Sequence, residues 1–493
     1  MSTTHKKFSV NLSVCLSILL FAFTVSAQEI EVNIKLISNA PAVLLVEGKF
    51  LRENKIQTQK SWAFLRSFAG IENLGARVSE LNLKDSQEQT VLYKKLIDGE
   101  YLAENNAAFW SYRINADAPP NEKALAHISW LKGEQGILML GDLLPQFNAN
   151  NQPISAKITF ELPKDWKILS SENLIAENIF SVANIEKAVF LIGKNWREVK
   201  TANDALDLAI SGEWNFSDVE AVKMANDIFE EYRKLFGEIP NVKTQIALAH
   251  FPKEIKFGRW EADTRGSSSV IFSSDMPFKT LSLQRLHEQL RHELFHLWIP
   301  NNLALTGNYD WFYEGFTVYK ALKTGVQTNQ IRFEDFLDTL SQAYRIDDFQ
   351  TRKISLLESS KNRWNGANSQ IYSRGMLVAF LADVALLRQS KGKRSVDDIF
   401  REIYNKYRLP NKSQDGNTAI LKVFENYAEL QTVVEKYIKG TEKINWQTDL
   451  ESVGIQISET DFNTKLNIKS KLNGRQKDLL DKLGYNNWRK ILK

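Results

Sequence analysis

Residues 281–298 read LSLQRLHEQLRHELFHLW, and residues 309–320 read YDWFYEGFTVYK. Leu283, Leu286, Leu290 and Leu294 recur at intervals of three and four, with neither Gly nor Pro before Pro300. That spacing predicts a helix. Within it His292-Glu293-Leu294-Phe295-His296 forms an H-E-x-x-H. Residues four apart share a helix face, so both imidazoles can reach one ion. Two imidazoles and a carboxylate leave one position of a tetrahedral zinc ion open for water. Glu293, next to the first imidazole, is placed to take a proton from that water. The second run offers the carboxylate, Glu314, followed by Gly315, which leaves room for close packing. A solvated amphipathic face would account for the histidines singly, but not for a carboxylate that follows an aromatic run. The neighbouring His287-Glu288 has no second histidine in its own register, so His287 is expected to be a packing or surface histidine.

H-E-L-F-H-L-W followed by W-F-Y-E-G-F-T resembles the gluzincin metallopeptidases. It is most similar to the glycyl-aminopeptidase family, with the aminopeptidase-N and leukotriene-hydrolase group as a close relative. The resemblance implies His292, His296 and Glu314 as ligands of one zinc ion and Glu293 as general base. It extends to two further segments. In the resembling aminopeptidases a Gly-rich strand ending in a glutamate anchors the substrate amino group, and within residues 258–263 Glu261 matches that glutamate. Arg259 and Trp260 stand where the family pattern has small and aliphatic residues. A loop carboxylate paired with Arg259 or Arg265 is the alternative for Glu261. Ile371-Tyr372-Ser373-Arg374-Gly375 resembles the Tyr-x-Lys-Gly segment, whose tyrosine donates a hydrogen bond to the tetrahedral intermediate. Tyr372 is accordingly the expected oxyanion donor, since a phenol supplies a fixed proton without a charge.

Outward from these segments, the chain has 493 residues, 43% hydrophobic and 25% charged, with a formal net charge of +4. That length is too great for one core, so two or three domains are expected. The small net charge, with no basic block interleaved with aromatics, argues against a nucleic-acid partner. Residues 1–27 read as a secretory signal peptide: a basic start at Lys6 and Lys7, an apolar run over 12–23, and Val25-Ser26-Ala27 before Gln28. An uncleaved anchor is the alternative; after cleavage no stable membrane span is expected. Cys15, the single cysteine, lies inside that run. The mature chain would have no disulfide and no thiolate, which fits a bacterial periplasm or exterior.

Residues 28–199 carry short strand patterns at 30–37, 42–46, 108–114, 136–140, 158–162 and 189–192, punctuated by turn residues. They predict a β-rich amino-terminal domain. Over 200–325 the pattern becomes a strand at 206–210, a helix opened by the capping box Ser217-Asp218-Val219-Glu220 and ended at Gly237, and strands at 242–250 and 267–272. This order suits the thermolysin-like zinc catalytic domain that the resemblance implies, a small mixed sheet packed on the H-E-x-x-H helix. Residues 326–440 predict a helical lobe, with helices at 333–345, after Tyr372 and after the Ser395 cap, and a polar loop at 356–368. The tail, 441–493, is polar, with a short strand at 453–457, a terminal helix over 477–493 interrupted at Gly484, and no room for a further β-module. The expected fold class is therefore α+β. The expected function is that of an exported zinc metallopeptidase acting on peptide or protein substrates, an aminopeptidase before an endopeptidase. An inactive binding or scaffold protein on the same fold is the alternative from another class.

Overall fold

The computed structural model describes residues 29–51, 60–147, 153–201, 205–238, 243–351, 353–460 and 463–487. The expected signal peptide with Cys15, and the last six residues of the expected terminal helix, lie outside them. The protein is α+β. Among the described residues, strands dominate as far as Ser273 and helices thereafter.

The amino-terminal region is built on a seven-stranded sheet in which Ile30–Asn39 is central, parallel to Ala156–Glu161 and antiparallel to Ala42–Phe50. Alternate residues Ile30, Val32 and Ile34 are buried on one face, as the two-residue period requires. A four-stranded sheet containing Gln135–Met139 and Val189–Gly193 lies between this sheet and the rest of the molecule. Trp130, Ile137 and Leu191 from that sheet region share a core with Ala247, Val270 and Phe272 of the next one.

That next sheet has five strands in the order Arg197–Lys200, Leu206–Ile210, Thr244–His250, Ser268–Ser273, Trp260–Arg265. The middle three are parallel and the outer two antiparallel to their neighbours. The inner strands are apolar on both faces because both are covered. Ala247 and Phe272 face the amino-terminal sheet, while Leu208, Ile246, Leu248 and Ile271 face the helices. Two helices lie there. Asp218–Phe236 begins with the expected capping box, Ser217 and Glu220 bonding reciprocally, and ends at Gly237, whose φ of 80° a glycine adopts freely. Lys279–His296 carries the H-E-x-x-H; Leu286, Leu290 and Leu294 enter the core, and Phe295 packs edge-on against Tyr232.

The helical part comprises Gly315–Gln327, Phe333–Asp348, Leu356–Lys361, Asn368–Gln389, Val396–Tyr407 and shorter pieces as far as Lys439. Asn368–Gln389 is long and apolar enough to cross a membrane, yet it is buried at the centre of this lobe. Residues 356–368 are a correction to the sequence reading. They form a helix and a 3-10 turn, Arg363–Asn365, instead of a loop. Their polar side chains do structural work there: Ser355 caps Glu358, and Ser360 accepts from the Trp311 backbone. Several strands also escaped the sequence reading, among them Val78–Lys84, Ile179–Val182, Trp260–Arg265 and Asn463–Ile468; the last pairs with Ile455–Thr460.

Candidate metal centre

The last turns of the Lys279–His296 helix are buried all round, including the polar residues His292, Glu293 and His296. The two imidazoles meet with their Nε2 atoms 3.1 Å apart. Glu314 Oε2 lies 3.2 Å from His292 Nε2 and 3.5 Å from His296 Nε2. Ligands about 2.0–2.1 Å from a tetrahedral zinc ion are about 3.3 Å from one another. The three separations match one face of that tetrahedron. His296 Nδ1 is 3.0 Å from the Ile299 carbonyl, and donating to it leaves the Nε2 lone pair facing the centre. The donor set and its geometry therefore fit zinc.

Glu314 is delivered by a close helix crossing. Gly315 and Gly375 meet backbone to backbone: a Cβ built on Gly315 would lie 2.5 Å from Gly375 Cα. The contact sets Glu314 beside Tyr372, and the Tyr372 hydroxyl donates to Glu314 Oε2 at 2.9 Å. Arg363 holds the other oxygen, Oε1, at 3.0 Å, and also bonds Asp310 and the Tyr372 hydroxyl. Burial opposes a charge on Glu314, but Arg363 and the two histidines hold its carboxyl well below the usual range. Burial likewise opposes a charge on His296, and the Glu314 carboxylate outweighs it, lifting the imidazole to about 9. Burial, reinforced by Glu314, pushes the Tyr372 phenol far above its ordinary value, so it remains a protonated donor.

Glu293 is aimed by the edge strand. Thr264 Oγ1 donates to Glu293 Oε2 at 2.7 Å and lies 2.9 Å from Ser269 Oγ. Trp260, on the same strand face, sets its ring 6.4 Å from that of His292. Residues two apart share a face, so Glu261, Asp263 and Arg265 point to the other side. There Asp263 pairs with Arg265 at 2.7 Å and with His127 of the amino-terminal region at 3.3 Å. Glu261 is paired with Arg259 at 3.6 Å, the partner considered as its alternative, although on a strand instead of a loop. Burial raises its carboxyl, opposed by His127 and Arg259. The fold thus brings together His292, Glu293, His296, Glu314 and Tyr372, and places Glu261 apart from the three-ligand cluster. Arg363 and Thr264 carried no sequence signal, because Thr264 acts on Glu293 and Arg363 on Glu314 only across contacts that the fold creates.

No protein-family model and no curated protein matches the chain. Solved structures do. An aminopeptidase N family protein from Idiomarina loihiensis superposes with a TM-score of 0.72 at 15% identity, covering 90% of this chain and 82% of that one. An M1 zinc metallopeptidase from Deinococcus radiodurans gives a TM-score of 0.52 at 13% identity, covering 85% and 95%. A point mutant of the latter, described as bound to a Tyr-Ser-Ala substrate, gives 0.54 at 12% identity with the same coverage. The fold is that of the aminopeptidase-N-like zinc metallopeptidases, and in this chain it carries a His-His-Glu cluster.

Proposed function

We propose that this protein is an exported zinc metallopeptidase that removes residues from the amino terminus of peptides. The observation that carries the peptidase reading is the convergence of a zinc-compatible face, His292, His296 and Glu314, with a separately positioned carboxylate, Glu293. Zinc held there would polarise a peptide carbonyl and acidify a water molecule. Glu293, oriented by Thr264, accepts the proton of the attacking water and passes it to the leaving amine. Tyr372 turns its O–H from Glu314 toward the carbonyl oxygen as charge develops on it. Arg363 keeps Glu314 ionised and in place throughout. Support for amino-terminal specificity lies in the fold shared with the aminopeptidase N family protein. Glu261, ion-paired with Arg259 on the strand face turned from the metal cluster, is given no part in that specificity. Export rests on the character of residues 1–27.

The test is zinc content and cleavage of matched free and amino-acetylated peptides, for wild type and Glu293→Gln. One zinc in both proteins, with only free peptides cut and only by wild type, is the expected result. Cleavage of acetylated peptides would make the enzyme an endopeptidase. Zinc in both with cleavage in neither would leave a binding protein on this fold.

A further inference from the structure

A cavity of about 1050 Å³ runs from the metal cluster, where His292 and Tyr372 line it, along the Lys279–His296 helix toward the carboxy-terminal segment. Its floor holds an unusual group. Arg291 is 4% exposed, and its Nε and Nη1 are buried with no hydrogen-bond partner among the described residues. One turn earlier on the same helix face, His287 Nδ1 is also buried and unpartnered. The fold makes room for the guanidinium: a Cβ on Gly325 would lie 2.0 Å from Arg291 Nη1. Other charges lining the cavity are already matched, Glu288 by Arg285 at 2.8 Å and Asp335 by Arg332 at 2.7 Å, while Glu334 is exposed at the mouth. A buried guanidinium with two unpartnered nitrogens is costly, and an anion entering the cavity would supply the partner.

We propose that Arg291 binds a carboxylate of the substrate within this cavity. The inference rests on the peptidase reading for the word substrate, and on the cavity alone for the carboxylate. A planar guanidinium takes a carboxylate through two parallel N–H bonds, which an amide cannot reproduce. Two sources have this chemistry, the carboxy terminus of a short peptide and an Asp or Glu side chain.

The experiment is calorimetric binding to the full-length, zinc-loaded Glu293→Gln protein. One pair of probes is Ala-Ala-Ala and its carboxamide; the other is Ala-Glu-Ala-amide and Ala-Gln-Ala-amide. We expect one pair to favour the carboxylate by roughly 10- to 100-fold, the first pair indicating a peptide terminus and the second a side chain. Arg291→Met should abolish that preference, and Arg291→Lys, which keeps the charge, should retain part of it. Gly325→Ala, which displaces the guanidinium without removing it, should weaken it too. Equal binding within both pairs overturns the proposal, as does a preference that survives in Arg291→Met. Carboxylate preference without cleavage by wild type would sink the peptidase reading and leave the site standing. Cleavage without preference would do the reverse.

Discussion

At the scale of single residues, Glu293, His296, Glu314 and Tyr372 each have a partner that orients them, so removing the partner should mimic removing the group in part. Glu293→Gln should retain one zinc and lower kcat by at least about 10²-fold, read from metal analysis and steady-state rates. Tyr372→Phe should lower kcat by roughly 10²–10³-fold with little change in KM, and an unchanged kcat would take the phenol out of the mechanism. Arg363→Met strips Glu314 of its counter-charge and releases the Tyr372 hydroxyl. Zinc affinity should fall about 10- to 100-fold, as for other groups that orient ligands, and competition with a chelator measures it. The motif residues were legible because their spacing matches a helix face. Arg363 was not: it lies in a polar stretch with no apolar period, and its role exists only once Glu314 is beside it.

At the scale of elements, the crossing of Gly315–Gln327 with Asn368–Gln389 sets the site. Gly315→Ala should force these helices apart, costing about 1–3 kcal/mol and moving Glu314 away from the two imidazoles. The expected signature is lost zinc at a modest drop in denaturant midpoint; full zinc binding would show that the crossing tolerates a methyl group. The Gly after Glu314 was readable as a packing glycine, while its partner Gly375 was not, since nothing local pairs two glycines 60 positions apart. The edge strand Trp260–Arg265 was likewise missed. It pairs on one side only and carries charges at alternate positions, so neither an apolar run nor a strong β-propensity marks it.

At the scale of the molecule, buried charge joins elements that the apolar core alone would leave free to slide. Asp383, fully buried, accepts from Lys323 at 2.6 Å, from Tyr319 and from the Val396 backbone, tying three helices together. Asp383→Ala strands Lys323 in the core and should destabilise the fold by about 3–5 kcal/mol, measured by chemical denaturation. The amino-terminal region contributes a pH dependence of its own. Burial pushes the half-buried Glu172 up to about 7 from an ordinary 4.5. Between those values the folded chain holds a proton that the unfolded chain has lost, so this residue makes stability fall as pH rises from 4.5 to 7. Glu172→Gln should flatten that slope in thermal midpoints measured across the window.

The sequence by itself marked the strands with clear alternation, the capped helices and the residues of the candidate metal cluster with the carboxylate beside it. Each of these follows from a local period or a short spacing that backbone geometry converts directly into a shared face. Only the tertiary structure decided which carboxylates face the metal and which face away. On the edge strand, Thr264 turns toward Glu293 while Glu261 turns from it. It also decided that Arg291, one residue from His292, lines a cavity with its Nε and Nη1 unpartnered among the described residues. These outcomes depend on what lies opposite a side chain, and residues far apart in the chain supply that.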